Sequence, residues 1–183
     1  AHFHKGLPRT KYTITITPKM AFGTGHHQTT SLMMEVMQKE EKFIRDHKVL
    51  DMGCGTGILA ILAAKMKSAT PVHAIDIDPT AVFSVRENAW KNRVHEKIDS
   101  RCGDASLIQA AKYDIILANI NRNILLQDMA TYTRGLLPGG VLVISGFYTQ
   151  DLQMLTEEAS RCGLEYEYHL EKENWVAAKF TKK

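Results

Sequence analysis

A cluster of glycines follows an acidic residue in the segment Asp51-Met52-Gly53-Cys54-Gly55-Thr56-Gly57. The apolar residues before this segment predict a strand, and the Ile-, Leu- and Ala-rich run after it predicts a helix. Glycine at such a junction permits positive φ and lets the main chain approach a ligand closely. The free N–H groups of a helix N-terminus face the same junction. The pattern predicts a nucleotide-type ligand at the carboxyl edge of a parallel sheet.

Two classes of ligand suit a glycine-rich loop of this kind. Dinucleotides require the spacing G-x-G-x-x-G, with the pyrophosphate on the helix N-terminus. Here Gly53, Gly55 and Gly57 are spaced G-x-G-x-G, and Asp51 lies two positions before the first of them. That carboxylate would repel a pyrophosphate, whereas it suits a ligand bearing an ammonium and a sulfonium group. The loop therefore favours S-adenosylmethionine over a dinucleotide, and a glycine-rich turn without a ligand is the remaining alternative.

Two further carboxylates end the next two predicted strands, Asp76 and Asp104. A carboxylate at the position of Asp76 can accept hydrogen bonds from both hydroxyls of a ribose. Asp78 precedes Pro79 and is the better helix cap, which leaves Asp76 for the ligand. Asp104 is a candidate partner for the amino group of an adenine, although it suits the cap of the next turn equally well.

The elements that position these residues alternate between strand-like and helix-like segments, which predicts a parallel sheet covered by helices on both faces. The predicted strands are residues 11–17, 49–51, 72–76, 98–102, 113–118 and 141–145, with a final hairpin of 165–170 and 175–180. The predicted helices are residues 29–45, 58–66, 79–92, 124–137 and 150–162, and a turn at 138–140 precedes the fifth core strand. Thr29 and Thr30 are expected to cap the first helix.

Composition narrows the class of protein further. The chain has 183 residues and a formal net charge of +3, which suits one domain and is less basic than most nucleic-acid-binding domains. It contains no apolar stretch near the roughly 18 residues of a membrane span. Cys54, Cys102 and Cys162 form no CxxC pair, which predicts reduced thiols in a cytoplasmic protein. No Cys/His cluster has the spacing of metal ligands, so no metal is expected.

Residues 49–57 resemble motif I of the class I methyltransferases, and Asp76, Asp104 and the turn after residue 137 match later landmarks of that superfamily. Residues 21–30 (AFGTGHHQTT) and 117–120 (LANI) further resemble the PrmA family, which methylates a ribosomal protein. The similarity extends from about residue 12 to the C-terminus. It implies an α/β fold with an open, doubly wound, Rossmann-like sheet of seven strands, mostly parallel and with an antiparallel C-terminal hairpin.

The resemblance also implies an activity. The cofactor would be S-adenosylmethionine, released as S-adenosylhomocysteine, and the acceptors would be lysine ε-amino and N-terminal α-amino groups of a ribosomal protein of the large-subunit stalk base. Phe22, Thr24 and Gly25 would belong to a loop that closes over the donor. Asn119 would lie beside the transferred methyl, where its amide oxygen can accept a hydrogen bond from the acceptor amine and aim it.

No residue stands out as the general base. A lysine amine has an unperturbed pKa of about 10.4, which a partly dry pocket lowers. His26 and His27 are candidates by their chemistry, although the favoured interpretation is that these histidines pack near the donor.

The PrmA resemblance predicts a domain organisation and leaves rival functions open. Residues 1–21 are expected to be a linker and strand remnant before a methyltransferase domain of residues 22–183, and a separate N-terminal substrate-recognition domain is expected to be absent. Residues 119–122 (NINR) lack the Asn/Asp-Pro-Pro-aromatic sequence of adenine methyltransferases, so no direct nucleic-acid readout is expected. No membrane partner is expected either, since the chain has no long apolar stretch. A small-molecule or nucleic-acid methyltransferase and a non-catalytic donor-binding module remain alternatives.

Overall fold

The computed structural model describes residues 10–17, 28–110 and 112–183. Seven strands form one sheet: β1 Val49–Met52, β2 Val72–Asp76, β3 Ile98–Cys102, β4 Tyr113–Asn119, β5 Leu136–Tyr148, β6 Leu164–Lys172 and β7 Trp175–Lys182. The α-helices of the described residues are α1 Gln28–Lys39, α2 Glu41–Ile44, α3 Ile58–Lys65, α4 Pro79–Lys91, α5 Arg122–Gly135 and α6 Leu152–Arg161. Short 3₁₀ turns lie at His95–Lys97, Ala105–Leu107 and Thr149–Asp151.

The strand order is β3-β2-β1-β4-β5-β7-β6. The pairings from β3 to β5 are parallel, whereas β7 runs antiparallel to both β5 and β6. The predicted open, doubly wound sheet with an antiparallel C-terminal hairpin is therefore confirmed. Strand order reverses between β1 and β4, and ligands bind at such a switch point in open α/β sheets. Because Met52 pairs with Ala118, the ends of these two strands meet at this point.

Apolar side chains cover both faces of the sheet, and all four residues of β1 are buried. One core cluster includes buried residues of α1, α3 and α4, and the other includes those of α5 and α6. Seven of the eight residues of α3 are buried, because this helix lies between the sheet and its neighbours instead of exposing a polar face. Burial on both faces explains why the central strands are continuous apolar runs.

The predicted first strand, residues 11–17, is wrong, because this segment has no regular secondary structure and joins no sheet. The main-chain N–H of Thr15 donates to Asn92 Oδ1 over 3.0 Å, and that of Thr17 donates to Asn88 Oδ1 over 3.1 Å. Side-chain amides of α4 and its C-terminus thus take the place of a neighbouring strand. Ile16 is buried in the core, which accounts for the alternating pattern.

Two smaller predictions also need correction. Thr29 and Thr30 do not precede the first helix; both lie buried in the first turn of α1, and a break at Glu40 separates α1 from α2. The predicted turn at 138–140 lies inside β5. Tyr113 of β4 pairs with Leu136, whereas Ile115 pairs with Val141, so the intervening residues of β5 form a bulge.

All three cysteines are free. No helix within the described ranges is long and apolar enough to cross a membrane.

Candidate active site

A cavity of about 930 Å³ opens at the carboxyl ends of the central strands. Its volume lies in the range of pockets that enclose small molecules. Four predicted site residues line it, namely Gly53, Asp76, Asp104 and Asn119. Three others, Asp51, Gly55 and Gly57, lie in or beside the same glycine-rich loop without lining the cavity. The predicted loop residues Phe22, Thr24 and Gly25, and the pair at 26–27, lie outside the described residues.

The three glycines of the loop have φ of +67° at Gly53, +52° at Gly55 and +78° at Gly57. Their conformations are ones that other residues rarely adopt. A Cβ on Gly53 would lie 2.7 Å from Cγ1 of Ile120, and one on Gly57 would lie 3.0 Å from both methyls of Val85. Gly53 thus lets the loop pass against the end of β4, whereas Gly57 lets the start of α3 pack against α4.

Asp51 lies behind the loop with only 1% of its surface exposed. Its Oδ2 accepts a hydrogen bond of 3.0 Å from the N–H of Ala60, in the first turn of α3. Burial raises the pKa of Asp51 to about 7, and the nearby Asp76 carboxylate adds to the rise. Contact of Asp51 with a ligand stays a prediction, and a cation in the cavity would favour ionisation of Asp51.

Asp76 joins the glycine-rich loop to the end of β2. Its Oδ2 accepts from the N–H of Gly55 over 2.9 Å, and its Oδ1 accepts from the N–H of Asp78 over 3.0 Å. Asp78 caps α4 as predicted, with its Oδ1 accepting from the N–H of Thr80 over 2.8 Å. Asp76 is thus not the cap of α4, but both of its oxygens accept main-chain hydrogen bonds. Each oxygen retains a second lone pair, so a ligand hydroxyl can still bind there.

Asp104 lies at the cavity wall, but its carboxylate caps a turn. Its Oδ1 accepts a 2.9 Å hydrogen bond from the N–H of Ser106, at the start of the 3₁₀ turn Ala105–Leu107. Hydrogen bonds from the Ser106 hydroxyl and main chain hold the pKa of Asp104 below its usual value. The capping alternative is the one found, and contact with an adenine remains a prediction.

Asn119 is the last residue of β4 and is half-buried at the cavity. Its Nδ2 donates to Oγ1 of Thr30, a buried residue of α1, over 3.4 Å. With the amide nitrogen turned towards α1, the amide oxygen is the acceptor that faces away from that helix. The role of this oxygen in aiming an acceptor stays a prediction.

Several residues of the cavity were not predicted from the sequence, and Trp175 is the clearest. Trp175 begins β7, lines the cavity and packs on the ring of Tyr148 with centroids 4.1 Å apart. Trp175 thus packs in the fold and also forms part of the cavity wall. Gly146 and Ile120 also line the cavity. Within the described ranges, no three or more His, Cys, Asp or Glu side chains are grouped as metal ligands would be.

Comparisons with known proteins agree on one family. Residues 3–183 match the family model described as Ribosomal protein L11 methyltransferase (PrmA). Curated relatives named Ribosomal protein L11 methyltransferase include one from Phocaeicola vulgatus, 48% identical over 99% of this chain and 63% of its own length. Another, from Porphyromonas gingivalis, is 50% identical over 99% of this chain and 61% of its own length. The chain thus spans a little under two thirds of these relatives.

A solved structure supports the same relationship. The crystal structure of ribosomal protein L11 methylase from Lactobacillus delbrueckii subsp. bulgaricus superposes with a TM-score of 0.87 at 27% sequence identity. The match covers 98% of this chain and 91% of that one.

Proposed function

Since the chain belongs to the ribosomal protein L11 methyltransferase family, PrmA, we propose that it transfers methyl groups from S-adenosylmethionine to amines of ribosomal protein L11. The acceptors are lysine ε-amino and N-terminal α-amino groups, and residues 22–183 form the methyltransferase domain. The observation that best supports this proposal is that one cavity is lined by Gly53 of the glycine-rich loop, Asp76 and Asn119.

The residues present fit the donor. Gly53 has no Cβ and a positive φ, which lets the main chain approach a ligand closely. Asp76 has lone pairs for ribose hydroxyls, and Asp104 lies at the same wall for the adenine. The buried Asp51 carboxylate supplies a negative potential that suits a cationic ligand. Phe22, Thr24 and Gly25 are proposed to close over the donor.

The donor supplies a methyl carbon that its sulfonium activates for displacement by an amine. The protein's own contribution is alignment, which can account for several kcal/mol of the barrier. Asn119 Oδ1 accepts a hydrogen bond from the amine and directs its lone pair. We place the acceptor on the side of the cavity lined by Thr29, Gly146 and Trp175. Polar and apolar groups there partly exclude water, which lowers the pKa of an entering ammonium group.

The proposed partner is ribosomal protein L11, of the large-subunit stalk base, and the proposed location is the cytoplasm. Three free cysteines agree with a reducing compartment. The mild net charge of +3 agrees with a protein acceptor and with no direct readout of nucleic acid.

Replacing Asp76 with asparagine is expected to weaken donor binding by about 10- to 100-fold, because a hydrogen bond to a charged group contributes about 1.5–3 kcal/mol. Isothermal titration with S-adenosylmethionine measures this directly. The matched control is Asp78→Asn. Residue 78 does not line the cavity, and asparagine caps a helix as well as aspartate does. An unchanged donor affinity in Asp76→Asn would remove Asp76 from the donor site.

The proposed function is tested by incubating the chain with labelled S-adenosylmethionine and ribosomal proteins from cells that lack the normal methylation. Label is expected on L11. Label on another protein or on RNA would keep a methyltransferase but overturn the proposed substrate. Donor binding without transfer to any acceptor would indicate a binding module and contradict the proposal.

A further inference from the structure

Gly146 lies in β5 where the main chain after β4 passes unusually close. A Cβ placed on Gly146 would lie 2.3 Å from the carbonyl oxygen of Ile120 and 2.7 Å from its carbonyl carbon. Its φ is +96°, and the register of β5 with β7 shifts between Ser145 and Phe147. Gly146 is thus a bulge residue that only glycine can occupy without movement of its neighbours.

Ile120 makes close contacts with three other residues. Its N–H donates to the carbonyl of Ser145 over 3.1 Å, and its carbonyl packs on Gly146. On the opposite side its Cγ1 would lie 2.7 Å from a Cβ on Gly53. Ile120 therefore fills the space between the glycine-rich loop and β5. The position of Asn119, the preceding residue, follows from that of Ile120.

We infer that Gly146 is a positioning residue for methyl transfer, acting through Ile120 on Asn119. The absence of a side chain at Gly146 sets how deeply the main chain of Ile120 enters the sheet edge, and so where the Asn119 amide lies. The obstructing atoms are main-chain atoms, so no side-chain rotation can relieve a clash. A displacement of about 1 Å at a reacting centre can lower the rate by about 100-fold. This inference rests on the proposed function.

The test replaces Gly146 with alanine and measures the kcat for methylation of L11 together with the Kd for the donor. The kcat is expected to fall by about 10- to 100-fold, while the Kd stays close to that of the unaltered protein. Dividing kcat by the fraction of protein that binds donor corrects for any misfolded molecules.

The matched control is Gly163→Ala. Gly163 has a similar φ of +87°, but among the described residues other than its chain neighbours no atom lies within 4 Å of an added Cβ. The control therefore introduces the same backbone strain without the contact. It is expected to lower the melting temperature while leaving kcat unchanged.

A double-mutant cycle separates positioning from a general loss of structure. If Gly146 acts through Asn119, Gly146→Ala should have little further effect on kcat in an Asn119→Ala background. Equal fold-losses in both backgrounds, or an unchanged kcat in the single variant, would overturn the inference. If Gly146→Ala does not fold, Ile120→Ala takes its place and is expected to lower kcat by a larger factor than it raises donor Kd. An unchanged kcat, or a loss confined to donor Kd, would overturn the inference there too. Absence of transfer by the unaltered chain would instead contradict the proposed function.

Discussion

Replacing Asn119 with alanine is expected to lower the kcat for methylation about 100-fold while leaving donor affinity nearly unchanged. Asn119 ends β4 at the cavity, and the hydrogen bond from its Nδ2 to Thr30 turns its amide oxygen away from α1. Without that oxygen the amine can still enter the cavity, but nothing aims its lone pair. The loss therefore falls on the chemical step and not on binding of the donor.

The measurement compares kcat, the acceptor KM and the donor Kd of Asn119→Ala with those of Asn121→Ser. Asn121 also lines the cavity, but its Oδ1 caps α5 by accepting from the N–H of Ile124 over 3.2 Å. Serine keeps the cap and removes the amide, so this control is expected to retain its kcat. Unchanged turnover in Asn119→Ala, or a loss confined to donor affinity, would exclude the aiming role.

Replacing Asp51 with asparagine is expected to remove a large part of the pH dependence of both stability and donor binding. Burial raises the pKa of Asp51 in the folded chain to about 7 from its ordinary value of 3.8. Between these values the folded state binds more protons than the unfolded state, so the free energy of unfolding falls as pH rises. The shift corresponds to at most about 4 kcal/mol, all of it lost once the pH exceeds the folded pKa.

Donor affinity should change in the opposite direction. A cationic donor favours ionised Asp51, so binding to the unaltered chain is expected to tighten between about pH 6 and pH 8 and to release protons near pH 7. Asp51→Asn should lose this dependence, while any titration of the donor is common to both proteins. Urea unfolding at pH 5 and pH 8, and titration calorimetry in two buffers, measure the two effects. Identical pH profiles for the two proteins would refute this role of Asp51.

Local sequence was enough to predict the features that depend on a few neighbouring residues. The spacing of Gly53, Gly55 and Gly57 requires main-chain conformations that are set within the loop itself, and all three have positive φ. Asp76 was predicted at the cavity because it ends the strand after the loop, and parallel strands end at the same edge. Asn119 was predicted from the PrmA resemblance.

The features that sequence did not predict depend on distant contacts. Residues 11–17 alternate as a strand does, but the amides of Asn88 and Asn92 occupy their N–H groups. The role of Gly146 depends on the approach of Ile120, and that of Trp175 on pairing between β5 and β7. For Asp104 the local pattern suited a cap and a ligand equally; the structure shows the cap of the 3₁₀ turn, and contact with an adenine stays a prediction.

The most direct measurement of the central claim is the mass of purified, unmethylated L11 after incubation with this chain and S-adenosylmethionine, followed by peptide mapping. We expect mass increases in whole methyl increments, located on lysine ε-amino or N-terminal α-amino groups and strongly reduced with Asn119→Ala. An unchanged mass of L11 under conditions in which the chain binds the donor would contradict it.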